Sequence, residues 1–244
     1  MKTSPVLLFV TCGTSALTNL VGENDSPEAT ALGAAISKYL SPACRDKESY
    51  ATRHFLLERV VAAHTATLRC PHWANDPLFN RRTPAELIST FSLAKDLSEE
   101  EEKESAAELV LIASDTPEGE LAASVNSLLL AKEPLSDLVP KPITKKISGW
   151  DNRFVNITPK LDLIVTETKQ LLETRLRKSF FVYFNITGGF KGAIPSITAL
   201  AMMQGWHLYY QHETLQGSTY FLLDKDRLIQ MVEPKDTGGL RHGS

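Results

Sequence analysis

Val6-Leu7-Leu8-Phe9-Val10-Thr11-Cys12-Gly13-Thr14-Ser15 decides the architecture of this chain. Residues 6–10 form an unbroken apolar run, the mark of a strand covered on both faces. The cluster of hydroxyls around Gly13 then closes the strand and opens a helix. The same arrangement returns far downstream. An apolar run over 179–184 leads into Asn185-Ile186-Thr187-Gly188-Gly189-Phe190-Lys191-Gly192. In an open α/β sheet, ligands sit outside the carboxyl ends of the strands, at a topological switch point. Glycines let backbone approach a phosphate, and helix N-termini favour anions. The two turns therefore predict one pocket for a phosphate-bearing ligand, with Ser15 and Lys191 as its reactive groups.

The elements between these turns follow from periodicity and punctuation. Asn24-Asp25-Ser26-Pro27-Glu28 is a helix start, and residues 29–40 keep helical spacing up to Ser41-Pro42. Residues 50–68 and 84–93 are further helices, separated by a loop rich in Pro, Asn and Arg. The acidic run 99–104 reads as an exposed helix start or a solvated turn. Residues 108–114 are the second clear strand. A helix from 118 to 131 follows, and a proline-rich connector covers 132–142. Residues 143–147 and 153–157 are short and strand-like, and 159–178 is an amphipathic helix. A helix over 191–204 ends at Gly205. Strands at 208–211, 218–223 and 228–231 finish the chain, with a hairpin turn at Asp224-Lys225-Asp226.

Strands alternating with helices predict a Rossmann-like α/β fold: a mostly parallel sheet flanked by helices, with an antiparallel C-terminal edge. Neither repeats nor a long linker interrupt the chain. The simplest organisation is one domain over 1–234, with 70–105 as an insertion or lid, and a polar, glycine-rich tail at 235–244.

The chain has 244 residues, 43% hydrophobic and 23% charged, ordinary values for a soluble globular protein. A net charge of −3 argues against broad binding to long nucleic acid, which needs a basic surface. Three cysteines without CxxC spacing argue against a disulfide framework and point to the reducing cytoplasm. The apolar runs are far shorter than the ~20 residues of a membrane helix, and no secretory pattern opens the chain.

Each candidate site residue has a plainer alternative. Gly188-Gly189-Phe190-Lys191-Gly192 lacks Walker A spacing and has no hydroxyl after the lysine, and GxGxxG is absent too. What remains is a Thr-Gly-Gly turn with Lys191 at the head of a helix, where a lysine also snorkels readily to solvent. Ser15 either binds ligand or lines its turn. Its neighbours Thr11, Gly13 and Thr14 favour the ligand role, as do Thr187, Gly188, Gly189 and Phe190 on the other turn. Asp115-Thr116-Pro117-Glu118-Gly119 suits a helix cap first. Contact of Asp115 and Thr116 with ligand is an added role.

Residues 10–15, 114–119 and 185–192 together resemble the CRISPR-associated Rossmann-fold (CARF) family, in particular its stand-alone ring-nuclease branch. Tyr209-Tyr210-Gln211-His212-Glu213 is similar to that branch as well, and the likeness spans about residues 6 to 232. The Asn-Ile-Thr-Gly-Gly-x-Lys segment is its specific part. The resemblance implies a homodimer that binds cyclic oligoadenylate, usually cyclic tetra-adenylate, across its two-fold axis. It implies no cofactor and a metal-independent reaction in which a ribose 2′-hydroxyl attacks the adjacent phosphorus. The product is linear di-adenylate with a 2′,3′-cyclic phosphate, and type III CRISPR signalling is switched off. Catalysis falls to Ser15 and Lys191. The alternative is a sensor that holds the ring uncut and acts through a partner protein. An ordinary nucleotide or sugar-phosphate enzyme is a third class.

Two further patterns are read as packing. Arg59-Val60-Val61-Ala62-Ala63-His64 has the R-x4-H spacing of HEPN ribonucleases, but it lies inside the Rossmann-like part. His54, His64, Cys70 and His72 fit no standard zinc spacing. His212 and Glu213 are read as surface residues.

Overall fold

The structure, a computed structural model, describes residues 4–21, 26–41, 50–69, 83–99, 103–133, 135–147, 162, 165–166, 170, 181–188, 194–211 and 220–223. Six strands form one sheet: β1 (Ser4–Thr11), β2 (Lys103–Ser114), β3 (Ile143–Ile147), β4 (Phe181–Asn185), β5 (His207–Gln211) and β6 (Tyr220–Leu223). Their order across the sheet is β3-β2-β1-β4-β5-β6. The first five run parallel, and β6 pairs antiparallel with β5. This is an α/β sheet of the Rossmann type, winding one way from β1 to β3 and the other way from β4. The switch point lies between β1 and β4.

Helices α1 (Ser15–Thr18), α2 (Pro27–Leu40), α3 (Tyr50–Leu68), α4 (Ala85–Glu99), α5 (Pro117–Leu130) and α6 (Ile194–Gln204) connect the strands. Strand alternation explains the two layers. Val6, Leu8 and Val10 face a core built with Leu17, Ile36, Leu56, Val60, Leu87, Leu97 and Leu121, drawn from α1 to α5. Leu7 and Phe9 face the opposite way, against Phe184, Ile197, Ala201 and Trp206. There the Phe9 and Phe184 rings stack at 4.9 Å. Burial on both faces is why β1 reads as a continuous apolar run.

Helix starts follow their punctuation. The Ser26 side chain accepts the Ala29 amide at 3.1 Å, with Pro27 in the first turn of α2. The Thr116 side chain caps α5 in the same way, accepting the Gly119 amide at 3.1 Å. At the other end of a helix, Gly205 has φ of 69°, a backbone that stops α6 and favours glycine.

Two boundaries differ from the pattern in the sequence. The described ends of the acidic stretch are not a helix start, and residues 100–102 lie outside the described residues. The helix α4 runs on to Glu99, and β2 already begins at Lys103. Pairing with β1 carries β2 back beyond its apolar run, to Ser4↔Lys103 and Val6↔Ala106, with register irregularities before Leu7. Residues 85–99, expected as a helix over 84–93 within an insertion or lid, form α4 and belong to the main core through Leu87, Leu93, Ala94 and Leu97. The strands at 153–157 and 228–231, the hairpin turn at 224–226 and the tail lie outside the described residues, as does most of the 159–178 helix.

Candidate functional site

Both glycine turns emerge at the carboxyl end of the sheet, side by side. Val10 pairs with Asn185, the last residue of β4. One residue on, the Thr11 hydroxyl donates to the Gly188 carbonyl at 2.5 Å, with the Asn185 carbonyl at 3.3 Å as the weaker acceptor. Thr11 is buried, so it clamps one turn to the other and offers little to a ligand. The Cys12 amide continues the sheet by donating to Ile112 at 2.9 Å.

Between the turns lies Glu86, in the first turn of α4 and 0% exposed. Its Oε1 accepts the Gly13 amide at 2.6 Å, and its Oε2 accepts the Ser15 hydroxyl. Burying a carboxylate is costly unless it is hydrogen-bonded. Here two donors and the positive end of α4 meet that need. The fit against the second turn is close: a Cβ at position 188 would fall on the Glu86 side chain, so only glycine is accommodated there.

A second polar layer holds the β4 turn. Asn185 is fully buried; its amide donates to Ser89 Oγ at 2.8 Å and to Thr90 Oγ1 at 3.3 Å. Its Oδ1 accepts the Thr187 amide at 3.1 Å. The Thr187 hydroxyl in turn accepts the Gln211 amide at 2.9 Å, tying the turn to β5. Every branch of this layer is internal, so Asn185 and Thr187 set the shape of the turn.

The residues proposed from the sequence therefore divide by role. Thr11, Gly13, Ser15, Thr187 and Gly188 converge at the switch point. Thr14 belongs to the same loop and carries the exposed side chain, while Ser15 is half-buried. The Gly13 amide is already engaged by Glu86. Gly189, Phe190 and Lys191 lie outside the described residues, as do His212 and Glu213.

Asp115 and Thr116 follow the neighbouring strand β2. Thr116 caps α5, and Asp115 Oδ1 pairs with Lys146 at 3.1 Å. Lys146 also binds Glu120 at 2.8 Å, and Glu120 reaches Arg53 at 2.8 Å. The Lys146 hydrogen bond, ahead of Arg53, holds the Glu120 carboxyl below its usual range. Lys146 is raised in return, chiefly by Glu120 and then by Asp115. Capping and ion pairing account for both Asp115 and Thr116.

The decoy patterns resolve as packing. Arg59 is exposed, with its guanidinium over the Phe55 ring, whereas His64 is buried with Nε2 at 2.8 Å from the Ala16 carbonyl. The two face different surroundings and form no catalytic pair. Burial pushes the His64 imidazole down to about 4, against a smaller opposing effect of the Ala16 bond. His54 pairs with Glu58 at 3.7 Å, and Cys70 and His72 lie outside the described residues. Among the described residues, no group of three His, Cys, Asp or Glu side chains is placed to hold a metal. Burial first, and then the nearby Glu86 charge, push the Cys12 thiol far up, so Cys12 is not a ready nucleophile.

Residues 81–218 match the model of a family described as CRISPR-associated protein (Cas_APE2256). The chain belongs to this family. The match covers more than half of the protein, including Glu86 and the β4 turn. No curated protein matches the chain. No helix among the described residues is long and apolar enough to cross a membrane.

Glu86 is the residue that sequence reasoning missed. Its signal was local and weak: Thr83-Pro84-Ala85-Glu86 is a proline-led helix start with an acid in the first turn. Nothing in that pattern reveals that the acid is buried or that it meets Gly13 and Ser15.

Proposed function

We propose that this CRISPR-associated protein is a ring nuclease acting on cyclic oligoadenylate, most readily cyclic tetra-adenylate. The observation that carries the reading is the meeting of the two glycine turns at the switch point, where Thr11 donates to Gly188. Membership of a CRISPR-associated family supports it, as does the resemblance of both turns to ring nucleases. The ring is two-fold symmetric, and a homodimer would present two copies of this site to it across a two-fold axis.

The reaction is an internal transesterification. A ribose 2′-oxygen attacks the neighbouring phosphorus, the bond to the 5′-oxygen breaks, and a 2′,3′-cyclic phosphate forms. The nucleophile is already tethered to its target, so the protein's task is geometry and charge. In this scheme Thr14 and Ser15 hold the ribose and phosphate, and Lys191 neutralises charge on the phosphorane oxygens. The rigid base beneath them is the Thr11–Gly188 clamp and the Asn185 layer.

Incubation of purified protein with cyclic tetra-adenylate and with cyclic hexa-adenylate, EDTA present, tests this directly. Linear di-adenylate carrying a cyclic phosphate is the expected product. Tight binding of an intact ring would make the protein a sensor working through a partner. Binding of neither ring would remove the reading altogether.

A further inference from the structure

We infer that Glu86 and Ser15 form a proton relay, in which Ser15 touches the ring and Glu86 takes the proton; the inference rests on the ring-nuclease reading. Three observations carry it. First, the Ser15 hydroxyl hydrogen is committed to Glu86 Oε2. A serine that donates inward presents lone pairs outward, as an acceptor for a sugar hydroxyl. Second, Glu86 is 0% exposed whereas Ser15 is half-buried. The carboxylate is out of reach of a ligand, but the hydroxyl bound to it is not. Third, the other carboxylate oxygen is held by the Gly13 amide at 2.6 Å. The acid is thereby oriented toward Ser15.

The relay supplies what the transesterification lacks. A 2′-hydroxyl is a poor nucleophile until its proton is removed, and a serine alone is too weak a base. Among the described residues, two nearby alternatives are engaged elsewhere. Cys12 is buried with its proton held, and the His64 Nε2 is taken by Ala16. In the step, the 2′-proton passes to Ser15 Oγ as the Ser15 proton passes to Glu86. The 2′-oxygen bonds to phosphorus and the bond to the 5′-oxygen breaks. The departing 5′-oxygen takes a proton from water, and Glu86 returns its proton to solvent through Ser15. Protons balance and no oxidant, reductant or metal takes part. Glu86 never touches the ring; it is a positioning residue that acts through Ser15.

The test measures cyclic tetra-adenylate affinity and single-turnover cleavage separately, with wild type, Glu86→Gln, Ser15→Ala and the double variant. Glutamine keeps the shape of Glu86 but offers one acceptor where two donors need one each. The expected result is cleavage at least a hundredfold slower for each single variant, the usual scale for removing a general base, with ring affinity of Glu86→Gln within about threefold of wild type. The double variant is no slower than the worse single one, because the pair acts as a unit. A Glu86→Gln rate within about threefold of wild type overturns the relay, and so do single losses that multiply. If Glu86→Gln does not fold, wild-type cleavage in mixtures of light and heavy water decides. Two protons moving together give a curved dependence, and a straight line overturns the relay. Wild type that fails to bind the ring defeats the ring-nuclease reading and the relay with it. Wild type that cleaves while Glu86→Gln cleaves as fast defeats the relay alone.

Discussion

Glu86 accepts the Gly13 backbone amide at 2.6 Å, although the two residues are 73 positions apart in the chain. The contact joins the first turn of α4 to the loop after β1, and it places an acid beneath the one loop serine that the sequence singles out as reactive. The site is thus built from three segments: the loop after β1, the turn after β4, and the start of α4 that spans both.

If Ser15 and Lys191 act on the scissile phosphate, their loss separates binding from chemistry. Ser15→Ala and Lys191→Ala are expected to slow cleavage of cyclic tetra-adenylate by roughly a hundredfold or more, with affinity changed far less. Equal losses in the affinity and the rate, measured by titration and single turnover, would make both residues ligand holders.

Gly188→Ala tests the close approach of the second turn to Glu86. The added methyl meets the Glu86 side chain, which is itself held by Gly13 and Ser15. Overpacking of this kind costs about 1–3 kcal/mol. For a chain of this size that lowers the melting temperature by roughly 2–4 °C per kcal/mol. An unchanged melting temperature would show that the turn yields freely.

Asn185→Ala removes the centre of the buried polar layer. The Thr187 amide loses its acceptor, and Ser89 and Thr90 lose a shared donor. Leaving buried groups unsatisfied costs about 1–3 kcal/mol. Denaturant unfolding should show that loss, and ring cleavage should fall with it because the turn carries Gly188. Asn185→Ala with wild-type stability would contradict the account of this layer.

His64 gives a pH dependence of known sign. Its folded value is pushed down from 6.5 to about 4 by burial, so the unfolded chain binds the proton more readily. The stability tied to the neutral imidazole is complete above pH 6.5 and is lost progressively as the pH falls toward 4. The loss is on the order of 3 kcal/mol across that window. His64→Gln keeps a donor for the Ala16 carbonyl and does not titrate. Its melting temperature should fall less steeply between pH 7 and 4 than that of the wild type, and parallel slopes would remove His64 as the cause.

Much of this protein was legible one segment at a time. The apolar run over 6–10, the Ser26-Pro27 helix start and the Thr116-Pro117 cap are local signals, set by backbone sterics and by burial on both faces of a strand. Alternation of such segments was enough to expect parallel strands with helices between them, and the switch-point rule was enough to expect the two glycine turns to be neighbours. The helix start expected within 99–104 is instead the end of α4 at Glu99 and the beginning of β2 at Lys103, because the start of β2 is set by pairing with Ser4 and Val6.

The acid in the site could not be found this way. A glutamate in the first turn of a helix is ordinary in sequence, and it becomes singular only when the fold buries it against Gly13, Ser15 and Gly188. The same holds for Thr11 and Asn185, whose partners lie up to 177 positions away. Local pattern records which backbone states and faces a segment prefers. Which buried donor meets which acceptor depends on how separate segments pack, because a buried polar group must be satisfied by whatever neighbour the fold brings within reach.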